Sequence, residues 1–438
     1  MLPDNNNHRD SPYASPDQLR IGMYVYVDLP WFLHPFTLNS FSISSEHQIA
    51  ELRALNLQRF RYDPERSKNF SAGPAPAAPA DAEARADEEA EQVPVPGNPV
   101  SPEQAARAQH LQEHRRALAQ TEKAFVKATG IMHRLTRNLL QHPKATLDEM
   151  NGLVHQMTSV FLERSGVSLH VMGGKCGGEE AYFHGLNVSI LSMMLAKGLD
   201  LTGEQAHVLG AGALLHDIGQ IQIPGRVLRK NPEEFTKPER ELYARHVEYG
   251  VGIGEQVNLA PEVLEIIAQH HEMADGTGYP RELRLEQIAP LARVVALANC
   301  YDNLCNPLIP SQAMTPHEAL SFIFARRRDK FDTKVLQLMI RSLGVYPPGS
   351  IVKLSNDAIA MVVSVNPQRA LRPWVLLYEA GVSRNEAIML DLDKEPGVSV
   401  AKGLRPAQLP ADVHAYLSPR KRITYFFDSG PQPSREHS

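Results

Sequence analysis

From Glu103 to Gly344, apolar side chains recur at three- and four-residue spacing almost without interruption. That period belongs to helices that bury one face, so the centre of this chain has to be built from packed helices rather than from a sheet. The run AARAQHLQEHRRALAQTEKAFVKATGIMHRLTRNLL opens it. Further helical segments are expected at 147–172, 179–198, 204–217, 238–257, 261–271, 290–304 and 316–342.

The flanks follow another period. IGMYVYVDL and FTLNSFSI alternate as strands, SSEHQIAELRAL is a short amphipathic helix opened by Ser45 as N-cap, and LQRFRYD is one more strand-like stretch. Residues 1–66 are therefore expected to form a small β-rich domain. Over 67–110 the chain turns to proline, alanine and acidic residues, as in SAGPAPAAPADAEARADEEAEQVPVPGNPVSP. Such a stretch buries too little apolar surface to offset the entropy of ordering, and an extended linker is expected. After Gly344, two strands joined at Ser355-Asn356-Asp357 and a third in PWVLLYEA are expected. The fold class predicted is multidomain: a central all-α helical bundle over 111–345, small β-rich N- and C-terminal domains over 1–66 and 346–420, and a polar tail over 421–438.

Charge narrows the function. With 45 Lys and Arg against 50 Asp and Glu, the net charge is −5, which argues against DNA or RNA as a partner. Cys176, Cys300 and Cys305 cannot make a disulfide framework, and a reducing, cytoplasmic setting is expected. The opening MLPDNNNHRD has no apolar core for a secretory signal, and no apolar run reaches the ~18 residues of a transmembrane helix.

Within the helical region, metal-type ligands gather at or near helix ends. Glu180 and His184 lie four apart in EEAYFHGLNV and share a helix face. His216 and Asp217 end an apolar helix in LLHDIG, with Gly219 after them. RHVEYG supplies His246, and IIAQHHEMADGTGYP supplies His270 and His271. ALANCYDNL places Asn299 and Asp302 three apart. Histidine with carboxylate suits Fe, Mn or Zn. Adjacent helical residues point ~100° apart, so His216 and Asp217 serve one cluster only at a helix end or with Asp217 bridging two ions. Either way the pattern suggests a multinuclear centre of the kind that clamps a phosphoryl group for displacement.

HDIGQIQIP followed by HHEMADGTGYP resembles the HD-GYP group of the HD metal-dependent phosphohydrolases, over about residues 175–345. IGMYVYVDLPWFLHPF resembles the accessory domain that often precedes such domains, and VYPPGSIVKL the β extension that often follows. The resemblance implies a bacterial signalling hydrolase: a phosphodiesterase that converts cyclic di-GMP to pGpG and GMP, on a helical bundle holding two or three divalent ions, commonly iron or manganese. It implies Glu180, His184, His216, Asp217, His246, His270 and His271 as ligands, with Asn299 or Asp302 completing the set. Asp217 would bridge the ions and help hold the attacking hydroxide. Asp275, Gly276, Gly278, Tyr279 and Pro280 would form the loop linked to substrate access and to partners such as a diguanylate cyclase. The amphipathic helices at 103–140 can pack on the bundle or on a second chain as a homodimer.

Three positions depart from the family pattern. Gln220 stands where a lysine is usual, and removing a charged donor aimed at a phosphoryl group costs ~10²–10³ in rate by analogy. Asn299 stands where an aspartate is usual, which favours two ions over three. CNPLIPSQ lacks the usual basic residues, with Arg326, Arg327 and Arg328 the nearest substitutes. Reduced turnover is therefore expected. The alternatives are a catalytically weak or inactive sensor or adaptor that binds metal and the dinucleotide, and an HD phosphohydrolase acting on another nucleotide.

Overall fold

The computed structural model describes residues 12–27, 40–55, 57–64, 66–67, 102–163, 169–171, 181–365, 369, 371–380, 382, 384, 387–395, 397–417 and 423–427. The side chains of 102–118, 170–171, 181–182 and 407 are excepted. Most of the expected linker, and Glu180 and Cys176, lie outside the described residues. The chain divides into two compact units, 1–113 and 114–438.

In the first unit, β1 (Tyr13–Ala14), β2 (Tyr24–Tyr26), β3 (Ser40–Ser42) and β4 (Phe60–Asp63) form an antiparallel sheet in the order β1-β4-β2-β3. Helix α1 (Glu46–Ala54) lies between β3 and β4 in the chain. The Ser45 side chain accepts the Gln48 N–H at 3.3 Å and starts it. Ile49 and Leu52 of α1 share a core with Met23, Val25, Ile43 and Phe60.

The second unit is helical at its centre. Helices α2 (Pro102–Asn138, which begins in the first unit) and α3 (Pro143–Glu163) lead to strand β5 (Leu169–Val171). They are followed by α4 (Ala181–Ala196), α5 (Gly203–Leu215), α6 (Gly225–Leu228), α7 (Lys237–Ala244), α8 (His246–Gln256), α9 (Pro261–Gln269), α10 (Pro290–Cys305), α11 (Pro316–Arg326) and α12 (Thr333–Leu343). Helix α4 is buried nearly all round from Leu186 to Ala196, as its lack of a polar face requires of a central helix.

The chain then closes with β6 (Ile351–Leu354), β7 (Ile359–Val365), β8 (Trp374–Leu377), β9 (Met389–Asp391), β10 (Val400–Leu404), α13 (Ala411–Leu417) and β11 (Tyr425–Phe427). The turn expected at Ser355–Asp357 joins β6 to β7, with Asp357 at φ +67°. The seven-stranded sheet runs β10-β6-β7-β5-β11, with β8 and β9 branching from β7.

Several sequence expectations need correction. The helix expected over 147–172 ends at Glu163, and Leu169–Val171 are strand, held by pairing with β7 and β11. The stretch 238–257 is two helices, α7 and α8, and 316–342 is two, α11 and α12, separated at Arg327 and restarted by Asp332 as N-cap. The polar tail holds a buried strand. Tyr425, Phe426 and Phe427 are 0%, 2% and 3% exposed, in one core with Phe125, Phe161 and Leu169. Burying each such ring contributes ~1.5–3 kcal/mol, enough to fix a three-residue strand.

Candidate metal centre

Helix ends assemble the site. The last carbonyls of a helix lack an intrahelical partner, and a histidine three residues on can donate its Nδ1 hydrogen to one. His216, which caps α5, does this to the Ala213 oxygen at 2.8 Å, and His270, which caps α9, to the Ile267 oxygen at 2.7 Å. His246 opens α8 and donates to the Tyr243 oxygen at the end of α7, at 2.6 Å. His184, in the first turn of α4, gives its Nδ1 hydrogen to Asp302 Oδ2 at 2.7 Å. Each ring thus carries its proton on Nδ1 and turns a bare Nε2 the other way.

Those bare nitrogens meet. Nε2 of His184 lies 3.2 Å from Nε2 of His216, and Nε2 of His246 lies 3.3 Å from Nε2 of His270. Asp217 sits between the pairs. Its Oδ2 is 3.5 Å from His216 and 3.6 Å from His184, while its Oδ1 is 3.3 Å from His246 and 3.6 Å from His270. The ligand atoms of His184, His216 and Asp217 lie within 4.8 Å of one another, as do those of Asp217, His246, His270 and His271. Gly219 brings the Asp217 turn this close to α8, since a Cβ there would fall 1.9 Å from the His246 carbonyl oxygen.

The electrostatics fit cations. Burial opposes the charge on Asp217, but the imidazoles of His216, His246 and His270 beside it hold its carboxyl well below the usual range. Burial pushes His270 down to about 4, with His216 and His246 adding to the shift against the pull of Asp217. Burial, then His270 and His246, push His271 well below its usual value. For His184 and His246, burial opposes the charged form but is outweighed by the neighbouring carboxylates of Asp302 and Asp217, and both are raised. Two buried polar atoms of the centre, Asp217 Oδ1 and His271 Nε2, have no hydrogen-bond partner among the described residues. Facing lone pairs, an unpartnered carboxylate oxygen and an unpartnered imidazole nitrogen are the donor set of a divalent metal centre.

The GYP loop covers one side. Tyr279 stacks on His271 with ring centroids 4.5 Å apart. At Gly278 a Cβ would fall 2.4 Å from the Met273 nitrogen, so only glycine lets the loop fold back on the His-His turn. Asp275 accepts from Thr277 N at 3.0 Å and from its hydroxyl at 2.7 Å, and Lys330 binds both residues. Gly276 has φ +80°. The Tyr279-Pro280 peptide is cis.

Of the expected ligands, Asp302 stands outside this donor set. Asp302 lies on the Nδ1 side of His184, opposite the edge that faces Asp217, so it orients a ligand instead of being one. Asn299 hydrogen-bonds His184 and accepts from Asn303 Nδ2 at 2.6 Å. Gln220 lies in the half-buried turn after Asp217. Arg327 sets its guanidinium 3.5 Å from the Cys300 sulfur, beside Asn299 in the chain, and over the Phe322 ring. Arg326 and Arg328 flank it.

Sequence reasoning missed three supports. Tyr243 lays its ring on His246, with centroids 5.0 Å apart, and burial and then Asp217 raise its phenol pKa. Glu272, 1% exposed, accepts the N–H groups of Arg281 at 2.7 Å and Leu283 at 2.8 Å and anchors the GYP loop. Asn187 donates to Asp302 at 2.8 Å. The signals were present: an aromatic three residues before a ligand, and an acid directly after the His-His pair.

The chain is similar to known proteins over most of its length. A model of the HD domain family matches residues 175–335, and one of a domain of unknown function (DUF3391) matches 14–150. The chain is 27% identical over 377 residues to the cyclic di-GMP phosphodiesterase PA4108 of Pseudomonas aeruginosa, covering 84% of this chain and 85% of the relative. It is 29% identical to the cyclic di-GMP phosphodiesterase response regulator RpfG of Xanthomonas campestris pv. campestris, over 56% of this chain and 60% of that one. It is 30% identical to a 3'3'-cGAMP-specific phosphodiesterase (number 2) of Vibrio cholerae, over 36% of this chain and 30% of that one. No helix among the described residues is long and apolar enough to cross a membrane. With the matched domain over 175–335 and HHEMADGTGYP within it, the chain carries an HD domain and is similar there to cyclic di-GMP phosphodiesterases of the HD-GYP type.

Proposed function

We propose that this protein is a metal-dependent phosphodiesterase that opens cyclic di-GMP to pGpG and onward to GMP, at a reduced rate. The reading rests on one observation: the two oxygens of Asp217 face separate imidazole sets, His184 with His216, and His246 with His270 and His271. Two divalent ions fit that division, held by those residues with Asp217 shared and Glu180 added from the family pattern. Iron or manganese suits nitrogen and carboxylate donors in a set without thiolate. Such ions supply Lewis acidity toward a phosphoryl oxygen and ready a water for attack near neutral pH.

The remaining work falls to the chain. Asp217, charged at any physiological pH, keeps both donor sets in one register. The Nδ1 hydrogen bonds fix each imidazole, so no reorganisation is needed when a phosphodiester enters. Tyr279 closes the His271 side against water. Gln220 replaces a charged donor by a neutral amide, which donates a hydrogen bond but supplies no proton. The cytoplasm is the compartment proposed, in keeping with the free thiols of Cys300 and Cys305.

The test is turnover of cyclic di-GMP by full-length protein loaded with iron or manganese, with linear pGpG as the first product. Product formation supports the reading, and none under any metal overturns it. Because one similar protein is named for 3'3'-cGAMP, that dinucleotide belongs in the substrate panel.

A further inference from the structure

The residues Ile423–Phe427 reach the metal centre through two buried asparagines. Asp302, 0% exposed, holds the Nδ1 side of His184 with one oxygen. Its other oxygen accepts from Asn187 Nδ2 at 2.8 Å and from Asn306 Nδ2 at 2.9 Å. Both amides also bind the C-terminal segment. Asn306 donates to the Ile423 carbonyl at 2.8 Å and accepts its N–H at 2.7 Å. Asn187 donates to the same carbonyl at 2.9 Å and accepts the Tyr425 N–H at 3.0 Å. The carboxylate only accepts and the main-chain N–H groups only donate, so neither amide can be turned over without breaking the net.

We propose that the segment Ile423–Tyr425 is a positioning element of the metal centre: main chain to Asn306 and Asn187, these to Asp302, and Asp302 to the ring of His184. The proposal rests on the metal-centre reading above. Without Ile423 and Tyr425, each amide loses partners on one side and is free to rotate, and Asp302 loses the donors that fix its plane. His184 then loses the hydrogen bond that keeps Nε2 bare and aimed at Asp217 Oδ2. The same segment holds β5, through the pairs Tyr425↔Val171 and Phe427↔Leu169, shortly before Glu180 in the chain. The C-terminal extension is thereby part of the site although none of its described residues is a ligand.

The test is cobalt titration of the full-length chain, read by the ligand-field absorption of each bound ion. Asn306→Ala and Ile423→Pro break the net from opposite sides. Each is expected to weaken one of two ions ~10- to 100-fold, as removal of a ligand's hydrogen-bond partner does, and the double variant to lose no more than either alone. Tyr301→Phe removes the 3.3 Å contact between the Tyr301 and Tyr425 hydroxyls without touching the net, and should bind both ions as the parent does. Unchanged cobalt binding in Asn306→Ala, or an equal loss in Tyr301→Phe, overturns the positioning role and leaves the phosphodiesterase reading standing. A parent chain that binds no cobalt overturns both.

Discussion

The Nε2 atoms of His246 and His270 stand 3.3 Å apart, and in the neutral rings neither has a hydrogen to give the other. Both rings have committed their proton to a helix-terminal carbonyl, of Tyr243 and of Ile267. Two lone pairs at that distance repel unless a cation lies against both. Metal binding should therefore stabilise the fold. Addition of manganese at a hundred times its dissociation constant is expected to add ~2.7 kcal/mol per site, seen as a rise in Tm. A His270→Ala chain should gain less, and equal gains would refute the assignment.

Gln220 is the least costly position at which to raise the rate. Gln220→Lys restores a charged donor in the half-buried turn after Asp217. We expect kcat for cyclic di-GMP to rise ~10²-fold with metal content unchanged, by the reverse of the loss such donors show on removal. A variant with bound metal and unaltered kcat would show that this position faces no phosphoryl oxygen.

The GYP loop hangs on Glu272. In Glu272→Ala the Leu283 N–H loses its acceptor in a buried place, at ~1–3 kcal/mol, and the part-buried Arg281 N–H loses its own at less cost. Hydrogen exchange over 275–284 should accelerate well before global unfolding, and KM should rise as Tyr279 leaves His271. Unchanged protection there would remove the anchoring role.

Acid stability should show the cap of α7. A hydrogen bond from Lys230, then those from the Thr236 N–H and hydroxyl, hold Glu239 at about 2, below the usual 4.5. A lowered carboxyl stabilises the fold above its ordinary value, and the contribution is lost as pH falls from there through about 2. Glu239→Gln should lower Tm in the neutral region, where that contribution is present, and flatten its decline over that window. Parallel acid limbs in the two proteins would count against the cap.

Much of this was legible in the sequence, for physical reasons. His216 and His270 could be found because each follows an apolar helical run, and the structure shows the cause: there, as at His246, the ring caps the carbonyl three residues back. What a linear reading cannot say is which side of a ring a neighbour takes. Asn299 and Asp302 are one turn apart on α10, and only the packing of α10 on α4 puts Asp302 behind His184. Strands β5 and β11 were missed because three residues carry no period of their own and exist only through pairing with each other and β7. The aromatic run Tyr425–Phe427 in an otherwise polar tail was the available signal.

The central claim is that Asp217 joins two donor sets, and metal counting on anaerobically purified protein tests it most directly. The account predicts two ions per chain in the parent, one in His270→Ala, and none retained in Asp217→Ala. Two ions retained by Asp217→Ala, or none in the parent, would contradict it.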